Sequence, residues 1–430
     1  GYVWGRKRSG NPIRRQAERK GKTVIALEDG LLRSIGHGKH DRALSLCIDD
    51  LGIYYDSTTA SRLEQLIPEA INNEQATRAK TIQEAWINNR LSKYNDALES
   101  PAPSDPFVLV VDQSAGDLSI RHGQADAQTF QRMLASALRD WPNHRVVVKT
   151  HPDVAFGRKT GHFKRAQLNH PRITVSGDGG HPCGLLEQCS AVYVVTSQMG
   201  FEGLIWKKPV YTFGMPFYAG WGLTADAIKA PERRHGHTPS LEQLIHAALV
   251  RYPIYRHPES LGRCSAEVLI TWMGAQRQTM LALPQHLEAF GFTPWKARQL
   301  KRFIPRAKGQ TLRFRGRHAK PSRATQAAVV WGNRSSNGIE HSSIAKIRVE
   351  DGFIRSVGLG ANLVSPQSWI LDSSGIYYDC NHASDLETHL NATELTSEER
   401  AYARNLRARL QHDKISKYNL QGKNWARPGE

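Results

Sequence analysis

The sequence predicts an α/β protein with a doubly wound parallel sheet, in which one part of the fold occurs twice. Two observations carry this. The apolar runs Phe107-Val108-Leu109-Val110-Val111, Arg145-Val146-Val147-Val148-Lys149 and Ala191-Val192-Tyr193-Val194-Val195 alternate with helix-patterned segments. Strands buried on both faces and separated by helices are the mark of a parallel sheet. The second observation is internal similarity. Glu28-Asp29-Gly30-Leu31-Leu32-Arg33-Ser34 returns as Glu350-Asp351-Gly352-Phe353-Ile354-Arg355-Ser356. Val3-Trp4-Gly5, Gly52-Ile53-Tyr54-Tyr55-Asp56 and Ser92-Lys93-Tyr94-Asn95 return as Val330-Trp331-Gly332, Gly375-Ile376-Tyr377-Tyr378-Asp379 and Ser416-Lys417-Tyr418-Asn419. The offset stays between 322 residues (Glu28 to Glu350) and 327 (Val3 to Val330), which is domain duplication and not a solenoid period.

Taken in order, Tyr2-Val3-Trp4 predicts a short strand and residues 12–20 a basic helix. Thr23 to Asp29 reads as a buried strand delivering two acids to its carboxyl end, where open α/β sheets place their chemistry. Residues 45–56 are strand-rich and 60–98 mainly helical, and the Pro-rich 101–106 is a joint. The strands at 107–111, 145–149, 172–175, 191–195 and 210–213 alternate with helices near 125–140, 182–189 and 200–206. Residues 238–251 and 264–303 return to helix, and Lys301 to Arg323 is rich in Lys and Arg without an acid. The expected organisation is a first half at 1–100, a second at 105–260, C-terminal helices at 261–305, a basic linker at 306–327 and a partial second copy at 328–430. The chain opens at Gly1 without an initiator Met, which predicts a longer parent. The second copy carries no counterpart of Asp112, His151 or Ser197 and is expected to be inactive, with apolar surface left uncovered.

A formal net charge of +18 and a pI near 9.8 call for an anionic partner: nucleic acid, anionic lipid or a polyanionic substrate. The five cysteines form no C-x-x-C pair and no metal spacing, which suits a reducing cytoplasm without disulfides or structural zinc. No apolar run reaches the length that spans a bilayer.

Candidate chemistry sits at predicted strand ends. Thr196-Ser197-Gln198 falls where a strand turns into a helix, so hydroxyls and free N–H groups there can hold a phosphate; a plain N-cap is the alternative. Lys149-Thr150-His151-Pro152 can neutralise a phosphate or carboxylate, with Pro152 fixing the turn, or can be a surface turn. Glu202, on the same helix as Ser197, can accept from ribose hydroxyls or be a solvated carboxylate. Asp112, followed by Gln113, is a candidate nucleophile or base, or a turn cap. Glu28 and Asp29 add the second acid that displacement at a sugar carbon commonly needs, or are turn acids bonding backbone amides.

In this order Glu-Asp-Gly, Lys-x-His-Pro and Thr-Ser resemble the motifs of CMP-sugar glycosyltransferases. With Val3-Trp4-Gly5-Arg6, Gly52–Asp56, Ser92–Asn95, Thr196–Glu202 and Phe217-Tyr218-Ala219-Gly220-Trp221-Gly222-Leu223-Thr224, the chain resembles the KpsC/LipB capsule polysaccharide family over nearly its whole length. The resemblance implies GT-B-like pairs of Rossmann-like domains in tandem modules. It also implies a retaining β-Kdo glycosyltransferase that uses CMP-β-Kdo and no cofactor or metal. Asp112 would form a covalent sugar adduct, with Glu28 as acid/base, Asp29 supporting it and His151 at the phosphate or sugar carboxylate. Lys149, Pro152, Thr196, Ser197, Gln198 and Glu202 would bind the donor, and Arg33, Ser34, Lys93 and Gln113 the substrates. The acceptor would be the Kdo-lysophosphatidylglycerol linker of capsule. The implied location is cytoplasmic, against the inner leaflet and beside capsule assembly proteins, without nucleic acid. Rival readings are a sialyltransferase-like CMP-sugar enzyme and a basic nucleic-acid-binding protein; the latter lacks any zinc-finger, RNP or helix-turn-helix signature.

Overall fold

The computed structural model describes residues 1–430 except 37–40, 156, 178, 259, 305, 335–338, 340, 341, 393, 396, 421 and 423–430. The chain divides into two compact units, Gly1–Gln278 and Thr279–Glu430. Unit 1 begins with β1 (Tyr2–Trp4), β2 (Ile25–Asp29) and β3 (Ser45–Asp49), then crosses into β4 (Phe107–Val111), β5 (Arg145–Lys149), β6 (Ile173–Ser176), β7 (Val192–Val194), β8 (Val210–Thr212) and β9 (Ala225–Asp226). These six strands form one all-parallel sheet in the order β6-β5-β4-β7-β8-β9. In sequence rank that is 3-2-1-4-5-6, the Rossmann order, with its switch point between β4 and β7. Leu109 and Val111 pack on one face of the sheet and Val108 and Val110 on the other, so β4 is buried on both sides.

The first sheet departs from expectation. Strand β2 pairs parallel with β1 but antiparallel with β3, so this half is a mixed sheet and not a Rossmann-like parallel one. Between β2 and β3 no helix lies among the described residues, and without a crossover helix the next strand can only return antiparallel. Residues 52–56 form a turn and not a strand: the Asp49 carboxylate accepts the N–H groups of Leu51 and Gly52 (2.9 and 2.8 Å). The chain then re-enters this sheet through β10 (Pro253–Arg256) and β11 (Arg263–Cys264), giving the order β1-β2-β3-β10-β11. The expected boundary at 260 is therefore wrong for 253–256, whose Tyr255 packs in the core beside Cys47 and Leu269. That core also takes in Leu31, Leu32, Trp86 and Leu91 from the first half and Phe201, Leu204, Phe217 and Tyr218 from the second.

Unit 2 corrects two more boundaries. Strand β12 (His286–Phe290) lies inside the expected helical stretch, and β13 (Thr311–Arg315) inside the expected linker. They join β14 (Ala327–Trp331), β15 (Ala345–Asp351) and β16 (Trp369–Asp372) in the order β13-β12-β14-β15-β16, with β16 antiparallel. The basic composition hid the Thr-Leu-Arg-Phe-Arg alternation of β13; Arg315 pairs with Glu288 (2.8 Å), itself buried at 2% exposure.

The sequence repeat recurs in hydrogen-bond detail. Arg33 pairs with Asp29 and Arg355 with Asp351, both at 2.8 Å. Asn95 donates to the Ser34 carbonyl and Asn419 to that of Ser356, both at 3.1 Å. One difference stands out: Leu31 and Leu32 are fully buried, whereas Phe353 and Ile354 are 56% and 42% exposed.

Candidate active site

Strands β4 and β7 end side by side, and their first loop residues are tied together. The Gln113 side-chain oxygen Oε1 accepts the Thr196 N–H (3.0 Å), and its Nε2 donates to the Thr196 hydroxyl (3.1 Å), which also meets the Ser119 hydroxyl (3.1 Å). This crosslink fixes the switch point. Asp112 then points into it with one carboxylate oxygen, Oδ1, accepting N–H groups from Gln113 (2.9 Å) and His162 (3.1 Å). Burial to 3% exposure raises the Asp112 carboxyl above its ordinary value, and the two N–H groups oppose the shift. Oδ2 lies against the Cα of Gly161, where any side chain would clash.

Ser197 caps the helix Gln198–Ile205 through its hydroxyl, which accepts the Met199 N–H at 3.2 Å. The Ser197 carbonyl takes the Gly200 N–H (3.1 Å), so a donor-facing helix start rests on the N–H groups of Ser197 and Gln198. At the end of β5, His151 Nδ1 accepts the Asp153 N–H (3.1 Å), which leaves the neutral ring's proton on Nε2. Pro152 opens the short helix Pro152–Ala155. Lys149 behaves differently from the other strand-end groups: it is 4% exposed and donates to the Ser100 hydroxyl (3.0 Å) in the segment joining the two halves.

From the first half, β2 delivers Glu28 and Asp29. Glu28 Oε1 accepts the Asp29 N–H (3.2 Å), while Asp29 is bound by Arg33, which also donates to Ser34 (2.9 Å). Ser34 is fully buried and donates to the Gly36 carbonyl (2.7 Å), so it shapes the turn. Burial raises the Glu28 carboxyl, and the Asp29 N–H and Lys93 counter it. Gly5 adopts φ +40, and a β-carbon there would run into Glu28 and the Tyr55 hydroxyl, so the approach of β1's turn to Glu28 requires glycine. Burial works against the Lys93 ammonium, yet Tyr94, Glu28, Asp29 and Asp117 together hold its pKa above that of an ordinary lysine. Lys93 thus feels acids of both halves, since Asp117 lies in the loop after β4.

Two residues of the sequence reading sit elsewhere than a ligand would need. Glu202 is 1% exposed and turned toward the first half, with Oε1 accepting the Lys93 N–H (3.3 Å). Gln198 donates to the Leu31 carbonyl (2.7 Å) and to Glu202 (3.2 Å). Both join the halves. Sequence reasoning passed over Gly161 and His162, whose contact with Asp112 spans 50 residues of chain and leaves no local signal. Among the described residues, no group of three or more His, Cys, Asp or Glu side chains could hold a metal ion, and no helix is long and apolar enough to cross a membrane.

Comparison with known proteins adds to this geometry. The capsule polysaccharide modification protein LipA of Neisseria meningitidis serogroup B is 36% identical over 447 residues, covering 99% of this chain. The chain spans 63% of that relative's length. Lipopolysaccharide-processing protein LpsZ of Rhizobium meliloti is 40% identical over 243 residues, covering 53% of each. Two solved structures of Thermosulfurimonas dismutans KpsC are similar. The beta Kdo 2,4 transferase has 38% identity and TM-score 0.60, covering 64% of this chain and 86% of that one. The beta Kdo 2,7 transferase has 30% identity and TM-score 0.50, covering 64% and 84%. The family model for capsule polysaccharide biosynthesis protein matches residues 2–100, 78–255 and 326–425, and the chain belongs to that family.

Proposed function

We propose that the chain is a retaining β-Kdo glycosyltransferase that takes Kdo from CMP-β-Kdo and extends the Kdo-lysophosphatidylglycerol linker of capsular polysaccharide. The observation that carries this reading is the switch point of the parallel sheet, where Asp112 and the Thr196–Ser197 helix start share one crosslinked rim. The similarity to KpsC, a beta Kdo 2,4 transferase, supports the sugar. The recurrence of the Glu28 turn at Glu350 supports a GT-B-like module whose first half is repeated.

In this reading the CMP phosphate meets Ser197 and the N–H groups of its helix, with His151 Nε2–H as a further donor and no metal assigned. An Asp112 oxygen attacks the anomeric carbon, and the bond to the phosphate oxygen breaks with its electron pair leaving on CMP. Glu28 then takes the proton of the acceptor hydroxyl, whose oxygen displaces the Asp112 carboxylate. Two inversions give retention. A carboxyl with a raised pKa is the better base near neutrality, which fits Glu28. Lys93 and Arg33, on the Glu28 side, suit an anionic acceptor. The charge of +18 suits contact with the anionic leaflet, which vesicle co-sedimentation that weakens with salt would register.

The test is transfer from CMP-Kdo to a synthetic Kdo-terminated lipid, with the product's anomeric configuration read by NMR. Asp112→Ala and Glu28→Gln are each expected to lower kcat by about a hundred-fold or more, the range for losing a nucleophile or acid/base group. An inverted product would reject double displacement. A Kdo adduct persisting on Asp112→Ala would remove Asp112 as nucleophile. Transfer of sialate in place of Kdo would overturn the donor assignment.

A further inference from the structure

Lys93 is held in the crevice by its own peptide group. Its carbonyl accepts the N–H groups of Arg33 (3.2 Å) and Ser34 (3.4 Å) from the first half. Its N–H is taken by Glu202 Oε1 (3.3 Å), which rises from the second half on the helix that begins at Ser197. The same helix sends Gln198 to the Leu31 carbonyl, one residue from the Glu28-Asp29-Gly30 turn. A single eight-residue helix therefore presents its start to the donor side and grips the Lys93 peptide on the acceptor side.

Glu202 is an expensive residue to use as a mere strut. Its Oε2 is buried without a hydrogen-bond partner, as is Oε1 of Gln198. A glutamine or an apolar residue would fill the same space without burying a carboxylate. Burial pushes the carboxyl up to about 7, against the pull of the Ser92 hydroxyl, the Lys93 N–H and the Gln198 amide. The titratable groups facing it are Lys93 from the first half, Cys183 on the neighbouring helix, and Tyr218. Burial holds the thiol and the phenol neutral, so Lys93 is the one charge among these groups.

We propose that Glu202 is a positioning residue for Lys93: through the Lys93 peptide it sets the ammonium among Glu28, Asp29 and Asp117, and it touches no substrate itself. The catalytic part of this inference rests on the transferase reading; the placement of Lys93 does not. Ionisation of Glu202 strengthens the grip on the Lys93 N–H, since a carboxylate is the better acceptor.

The first measurement needs no turnover. Lys93 is acylated with a water-soluble amine reagent and quantified by peptide mass spectrometry, with exposed Lys7 as internal reference. Glu202→Ala is expected to raise Lys93 labelling several-fold at constant Lys7 labelling; unchanged labelling would overturn the proposal. Should Glu202→Ala fail to fold, Glu202→Gln carries the test: the ratio of Lys93 to Lys7 labelling, in which the common rise of amine reactivity with pH cancels, should change in wild type through about 7, the value to which Glu202 is shifted, and Glu202→Gln should flatten that change. A variant that keeps the wild-type pH dependence would also overturn it. The second measurement is the pH profile of kcat/KM for Kdo transfer. Glu202→Gln should lose the inflection near 7 and leave the donor KM unaltered. A raised donor KM would instead return Glu202 to the ribose. If labelling responds as expected and wild type transfers no Kdo, the transferase reading falls and the positioning role stands.

Discussion

Asp112 meets two opposing demands. In the proposed role of nucleophile it must be ionised, yet at 3% exposure burial favours its protonated form, and the N–H groups of Gln113 and His162 oppose that shift. Gly161 closes over the second oxygen, so Gly161→Ala forces the 160–162 segment away from the carboxylate. Kdo transfer is expected to fall at least ten-fold in that variant, in line with the cost of about 1 Å of misplacement, while far-UV circular dichroism stays unchanged. The raised carboxyls also fix a pH sign. Glu28, Asp112 and Glu202 all have folded values above their unfolded ones, so each favours the native state at low pH and loses that contribution as pH rises through the folded value. For Glu202 the window runs from 4.5 to about 7, and by about 1.36 kcal/mol per unit the loss is at most roughly 3 kcal/mol. Thermal unfolding of Glu202→Gln against wild type across that window checks it: the variant should gain relative stability as pH rises.

At the scale of elements, the helix Gln198–Ile205 is one of the joints between the halves, through Gln198 on the Leu31 carbonyl and Glu202 on the Lys93 N–H. Phe201 on it is fully buried against Phe217, with ring centroids 5.2 Å apart. Phe201→Ala is expected to cost about 3–5 kcal/mol, the range for an aromatic removed from a packed core, measurable by denaturant unfolding. What was legible in the sequence follows from such packing. The parallel sheet could be read because β4, β5 and β7 are apolar on both faces, a pattern few other structures produce. Asp112, Thr196 and Ser197 could be read because they end those strands. The mixed first sheet could not, since the pairing of β3 depends on the connection before it and on β10, which arrives more than 200 residues later. Strands β12 and β13 were masked by charge that serves the Arg315–Glu288 pair. The inward turn of Glu202 was equally hidden: on its own helix it looks like any solvated carboxylate, and its partner, the Lys93 N–H, arrives from 109 residues away.

At the scale of the whole molecule, the two units differ in how well they cover the shared turn. Leu31 and Leu32 lie under the second half of unit 1, whereas Phe353, Ile354 and Val357 are 56%, 42% and 77% exposed. Exposed apolar clusters promote self-association. Val357→Lys is therefore expected to lower concentration-dependent light scattering and leave the Kdo transfer proposed for unit 1 intact.

The placement of the thiols has a practical consequence. Cys47, Cys183 and Cys189 are buried in unit 1, with burial raising all three thiols above the ordinary value, Cys189 to about 12, while Cys380 lies exposed in unit 2. A thiolate-seeking reagent should therefore mark Cys380 at once in the native protein and reach the three buried thiols only when unit 1 opens. The chain thus carries its own clock for local opening, and the order in which alkylated peptides accumulate during a denaturant pulse would time the loosening of unit 1 without any added probe.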